Sequence, residues 1–164
     1  MLAHVTWRDS TEARLECFSP LFRKNTEIHI LTMNEETISE RSIKNIDDFL
    51  ALSDVDLEKM RQFLFEDCKF NCENSSYGFD VPEGADEAKI NHEEFGVLNG
   101  HNALEKSTMK YLLISEHDQE SYTNNYGRLQ FDNEWNSHLT TIVMKNGTVV
   151  GYGDSGLNLG QWEQ

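Results

Sequence analysis

The stretch Arg128 to Tyr152, RLQFDNEWNSHLTTIVMKNGTVVGY, decides the fold. Leu129–Phe131 and Leu139–Met144 read as strands, and Lys145-Asn146-Gly147-Thr148 before Val149-Val150 reads as a two-residue hairpin. Asn-Gly suits a type I′ turn, whose two central residues both need positive φ. A turn there sets Met144 opposite Val149, Val143 opposite Val150 and Thr141 opposite Tyr152. Leu139, Thr141, Val143, Val150 and Tyr152 then share one face, the expected core face. Between the strands, Asp132 to His138 packs polar side chains around Trp135.

Working outward, Met109–Ser115 is apolar enough for a central strand, and the polar stretch Glu116–Asn125 reads as a loop. Near the N-terminus, His4–Arg8, Glu12–Cys17 and Glu27–Thr32 read as three strands. The middle one alternates at period two, so Ala13, Leu15 and Cys17 should face inward. Thr37 and Glu40 offer a capping box for a helix with Ile43, Ile46, Phe49 and Leu50 on one face and Arg41, Lys44 and Asp48 on the other. Ser53 restarts the pattern as an N-cap, followed by Leu57, Met60, Leu64 and Cys68. The expected architecture is α+β: an antiparallel β-sheet of two meanders, covered on one face by a helix pair.

Composition narrows the function classes. A chain of 164 residues with 38% hydrophobic residues can bury one core, so a single domain over 1–164 is expected. Its formal net charge of −15 argues against nucleic acid and anionic membranes, which draw affinity from Lys and Arg. The same charge favours a basic protein partner. No N-terminal signal pattern and no apolar run of the ~18 residues a membrane span needs are present, so a cytoplasmic location is expected.

The acidity concentrates in an irregular segment, about 71–106. Over Asn71–Glu105 eight acids stand against Lys89 alone, a net of −7. Glycines and Pro82 interrupt the pattern, and a loop with one short helix around Ala85–Glu94 is expected. Asp80, Glu83, Asp86, Glu87, Glu93 and Glu94 are its candidate partner-binding residues, with Tyr122 and Trp135 as aromatic anchors.

Catalytic and metal motifs are weak. Cys17, Cys68 and Cys72 are an odd number without an export signal, so free, partly buried thiols are expected. Cys68 and Cys72 share a helix face if the helix reaches that far. Two thiols are too few for a closed zinc site and no His lies at finger spacing. Gly153-Asp154-Ser155-Gly156 resembles a serine-nucleophile segment only superficially: the chain is too short for the two barrels of that protease fold, and a turn is the simpler reading. Asp132, Glu134, His138 and Asp154 are the ligand set of the alternative, a small metal-dependent hydrolase, without a recognised metal-loop spacing. No catalytic residue, metal or cofactor is otherwise expected.

Ile38 to Leu50, with the helix containing Leu57-Glu58-Lys59-Met60, looks like the central helical pair of a bacterial family of uncharacterised acidic domains. Glu134-Trp135, His138-Leu139 and Lys145-Asn146-Gly147 resemble that family's tryptophan, histidine and hairpin signature. The resemblance is to domains of the polymorphic-toxin immunity type, and it implies a non-enzymatic antitoxin. Such a protein blocks a cognate, basic, nuclease-type toxin delivered by contact-dependent or type VI secretion. Its carboxylates would stand in for substrate phosphates. A scaffold domain without a specific ligand is the remaining alternative.

Overall fold

The structure is a computed structural model and describes residues 4–154 and 156–164. Seven strands form one open sheet in chain order: β1 (Thr6–Asp9), β2 (Glu12–Ser19), β3 (Lys24–Leu31), β4 (Thr108–Ser115), β5 (Tyr126–Asp132), β6 (Thr140–Lys145) and β7 (Thr148–Gly153). All neighbours are antiparallel except β3 and β4, which run parallel. A parallel pair cannot be closed by a tight turn and needs a crossover. Here the crossover holds four helices, α1 (Glu40–Leu50), α2 (Asp54–Asn74), α3 (Glu87–Phe95) and α4 (Gly100–Glu105). The expected α+β class holds, and the two meanders are joined by this parallel pair.

The crossover helices cover one sheet face. Ala13, Leu15, Ile28, Ile30, Leu112, Ile114, Leu129, Phe131, Ile142 and Met144 point from the strands into a core shared with Ile46, Phe49, Met60, Leu64 and Cys68. Ser39 caps α1, its side chain accepting from the Ser42 amide, so the cap lies two residues beyond the expected Thr37. Ser53 caps α2 as expected, with its amide and hydroxyl both donating to the Asp56 carboxylate. The other oxygen of Asp56 accepts from the Val149 amide at 3.0 Å and fastens α2 to β7.

Three expectations are corrected. The hairpin turn forms, with φ of 48° at Asn146 and 79° at Gly147, but a bulge follows it. Met144 faces Val149 as expected, whereas Val143 faces Gly151, Ile142 faces Tyr152 and Thr141 faces Gly153. The helix-facing side of β6 carries Ile142 and Met144 instead of the expected Thr141 and Val143, and Val143 lies in a separate cluster with Tyr126 and Leu159. The extra residue is on β7, where it turns Tyr152 onto the helix side with Val149, opposite Ile142.

Secondly, Glu116–Ser121 forms a short helix, α5, where a loop was expected. Its first residue explains it: Glu116 is buried and accepts from the Met33 and Ser39 amides and the Ser42 hydroxyl, at 3.2, 2.8 and 2.7 Å. Arg41, expected on a solvated helix face, reaches the same region. It donates to the carbonyls of Gln119, Tyr122, Thr123 and Asn124 and to Oδ1 of Asn125. Thirdly, the segment 71–106 holds the end of α2 and two further helices instead of one.

The sheet face away from the helices is covered at its β5–β7 end by the C-terminal tail. A short 3-10 helix, Leu159–Trp162, packs Leu159 and Trp162 against Tyr126, Val143 and Val150. Trp162 lies so close over β7 that a Cβ on Gly151 would collide with the indole. Lys145 donates to the Trp162 carbonyl, and Glu163 accepts from the Thr123 amide and hydroxyl at 2.6 and 2.7 Å. Gly153 ends β7, and Gly156 donates its amide to Asp154 in a turn. Ser155 lies outside the described residues.

Candidate functional site

The six candidate acids Asp80, Glu83, Asp86, Glu87, Glu93 and Glu94 are all exposed. None takes part in an ion pair among the described residues. Their scaffold is firm. Phe95 at the end of α3 is buried against Tyr77 and Phe79, with edge-on ring centroids at 4.7 and 5.4 Å. The Tyr77 hydroxyl donates to the Trp135 carbonyl, and Asn91 donates from Nδ2 to the Cys72 carbonyl at 3.0 Å. Poor periodicity hid this order because the segment packs through scattered aromatics and one buried amide.

Asp86 caps α3, accepting from the Ala88 amide, and with Glu87 it sits at the positive end of the helix dipole. Glu93 and Glu94 occupy the opposite end, where the dipole disfavours anions and no cation bonds to either carboxylate among the described residues. Their charge does not serve the helix that carries them.

Asp86 and Glu93 of this set border a groove of about 480 Å³ between α2 and α3, whose lining does not include Asp80, Glu83, Glu87 or Glu94. Phe65, Ala88, His92 and Leu98 supply its apolar lining, and Glu73, Asp86 and Glu93 stand on its rim with Lys69 and Lys89. Leu98 is 65% exposed, and Phe70, on the last turns of α2, is 62% exposed. An apolar floor with a charged rim is the usual anatomy of a protein-binding surface.

The anchor role expected for Trp135 is corrected. Trp135 is 1% exposed, and its indole nitrogen donates to Oδ2 of Asp67 at 3.0 Å. Thr140 and Asn136 donate to the same oxygen at 2.7 and 3.4 Å. Of the polar stretch around Trp135, Asn136 joins Trp135 and Thr140 on the buried Asp67 carboxylate and so ties the β5–β6 connection to α2, whereas Asp132, Glu134, Ser137 and His138 are exposed. Tyr122 is half-buried, edge-on to Tyr126 at 5.5 Å in the tail cluster, and does not line the groove.

Asp132, Glu134, His138 and Asp154 are each exposed. His138 and Asp154 share a depression with Asp67 and Asn136, but Asp132 and Glu134 do not line it. Among the described residues these four do not gather as a metal-binding group. A second depression, on the outer sheet face, is lined by Leu31, Tyr111, Arg128, Gln130 and His138 and has mixed polarity.

The three thiols are free and buried or half-buried, as expected, and α2 reaches far enough to put Cys68 and Cys72 on one face. Cys17 is half-buried, and Cys68 and Cys72 are buried with their sulfurs 3.8 Å apart. Burial pushes both of the latter thiols up. His92, distant in sequence, comes within 3.9 Å of Cys68 Sγ. Linear spacing gave no sign of it, because α3 is brought onto α2 by the intervening turn.

Residues 4–159 match the family DUF6985, described as a domain of unknown function. The chain belongs to the DUF6985 family. Comparison with curated proteins and with solved structures gave no significant match. In this DUF6985 chain no helix among the described residues is long and apolar enough to cross a membrane.

Proposed function

We propose that this DUF6985 protein works by binding: it is an immunity protein that blocks a cognate basic toxin of the nuclease type. The observation that supports the reading is the pairing of unneutralised carboxylates with an apolar groove on α2 and α3. Asp80, Glu83, Asp86, Glu87, Glu93 and Glu94 are exposed, lack ion pairs among the described residues, and ride on a packed scaffold. Carboxylates held in this way are pre-organised acceptors for Arg and Lys, which would otherwise grip phosphate. Phe65 and Leu98 in that groove supply the apolar contact that a charged rim alone does not. Delivery of such a toxin by contact-dependent or type VI secretion belongs to the same proposal.

The experiment is capture of a partner from the source cell's lysate, followed by titration at low and high salt. A basic toxin bound tightly, weakened by salt and by joint neutralisation of Glu83, Asp86, Glu93 and Glu94, supports the reading. A captured toxin whose affinity ignores both salt and those substitutions sinks the acidic-surface mechanism. A protein that captures no toxin sinks the immunity role itself.

A further inference from the structure

One face of α2 carries two cysteines a single turn apart, and α3 delivers a histidine onto them. Cys68 Sγ lies 3.8 Å from Cys72 Sγ and 3.9 Å from Nδ1 of His92. All three ligand atoms fall within 4.8 Å of one another, the one such group of three among the described residues. We propose that Cys68, Cys72 and His92 bind a thiophilic divalent ion of the zinc type. The site does not rest on the proposed toxin-binding role, although His92 also lines the groove.

Geometry carries the proposal. Zinc–sulfur bonds of about 2.3 Å at tetrahedral angles place two thiolates about 3.8 Å apart. The two sulfurs on α2 already hold that separation. A thiolate and an imidazole on the same ion sit about 3.6 Å apart, so His92 closes on Cys68 by a small side-chain adjustment. Two buried thiols in contact would by themselves be ordinary core residues. The third donor is what distinguishes this cluster.

The pose of His92 is set by its neighbours on both sides. Asn91 donates to the carbonyls of Cys72 and Ser75 at 3.0 and 3.2 Å and ties α3 to the end of α2. Gly96, at φ 70°, ends α3 in the left-handed region and turns the chain so that the Val97 carbonyl meets Nδ1 of His92 at 2.8 Å. That carbonyl can only accept, so Nδ1 carries the proton. When the ion binds, the ring proton passes from Nδ1 to Nε2 and Nδ1 exchanges the carbonyl for the metal, so the imidazole stays neutral. Each thiol loses its proton, so two protons leave per ion and affinity climbs with pH. Three protein ligands leave a fourth position; His92 lines the groove, while Cys68 and Cys72 are buried beneath it.

The test uses untagged, reduced, chelator-stripped protein titrated with Co(II) as the probe. The expected result is one Co(II) per chain, a thiolate-to-metal charge-transfer band of two-thiolate intensity, and displacement by equimolar Zn(II). Cys17→Ser should give the same spectrum. In that variant only Cys68 and Cys72 remain, so the assignment does not depend on a variant that disturbs the core. His92→Phe should weaken Co(II) binding at least about tenfold. A folded wild-type chain without the band overturns the site, as does loss of the band in folded Cys17→Ser. Binding unchanged by His92→Phe removes the histidine and overturns the three-ligand proposal.

Discussion

The indole nitrogen of Trp135 donates to Oδ2 of Asp67 at 3.0 Å, joining the β5–β6 connection to the middle of α2. Asp67 is 7% exposed and faces no cation among the described residues, so neutral donors alone compensate its burial. Removing one of them should be expensive. Trp135→Phe should cost about 2–3 kcal/mol in urea unfolding, since hydrogen bonds to charged groups are worth more than neutral ones. A double-mutant cycle with Asp67→Asn should give a coupling above about 0.5 kcal/mol. A coupling near zero would show that the indole contributes only its bulk.

Asp56 and Glu116 link stability to pH in one direction. Burial pushes the Asp56 carboxyl up, but the Val149 amide and the amide and hydroxyl of Ser53 outweigh it, leaving it below the ordinary value. Glu116 shows the same balance: burial raises it, but the Ser39 amide, the Ser42 and Ser39 hydroxyls and the Met33 amide outweigh that and leave it below the ordinary value. A carboxyl depressed in the folded state binds its proton more readily when unfolded. Its contribution is therefore complete above the unfolded value of about 4 and is lost as pH falls through the folded value. Glu116→Gln should destabilise at pH 7, and the gap from wild type should narrow as the pH is lowered below about 4. A constant gap in urea midpoints across that range would contradict the assignment.

Arg41 gathers the chain between α5 and β5 onto α1 through four carbonyls and one side-chain oxygen. A guanidinium presents five donors in a fixed fork, while an ammonium presents three from one point. Arg41→Lys should free part of that connection and speed amide exchange from Tyr122 to Asn125, with a cost of about 1–3 kcal/mol. Unchanged exchange would mean that the loop is held by Glu163 and Asn146 alone.

Trp162 lies directly against Gly151 on the outer sheet face. Gly151→Ala should displace the tail, since a Cβ would enter the space of the indole, at a cost of about 1–3 kcal/mol. Trp162 fluorescence should shift toward that of a solvated indole, and the tail should become cleavable by protease. Persistence of both native signals would show that β7 moves instead.

The fold was largely legible because its strands announce themselves by local pattern. Alternation in Glu12–Cys17 and the Asn146-Gly147 turn are signals that tertiary context did not override. The bulge beyond Val143 was not legible, since Val149 and Val150 look alike to any rule based on apolar character. Nor was the burial of Trp135, whose polar neighbours Asn136 and Thr140 turned out to serve Asp67. The acidic residues were visible from composition alone. The meeting of His92 with Cys68 depends on how α3 folds back, and linear spacing cannot express it.

Glu93 and Glu94 separate a binding role from a structural one. Both lie in the last turn of α3, where the helix dipole repels them, and neither forms an ion pair among the described residues. Converting both to Gln removes that repulsion and some of the self-repulsion of a chain with net charge −15. The thermal midpoint should therefore stay level or rise, while association with a basic partner slows and its salt dependence flattens. The two readouts move in opposite directions only if these charges serve recognition. A fall in midpoint would mean that the carboxylates hold the segment together, and their exposure would then be no guide to a partner.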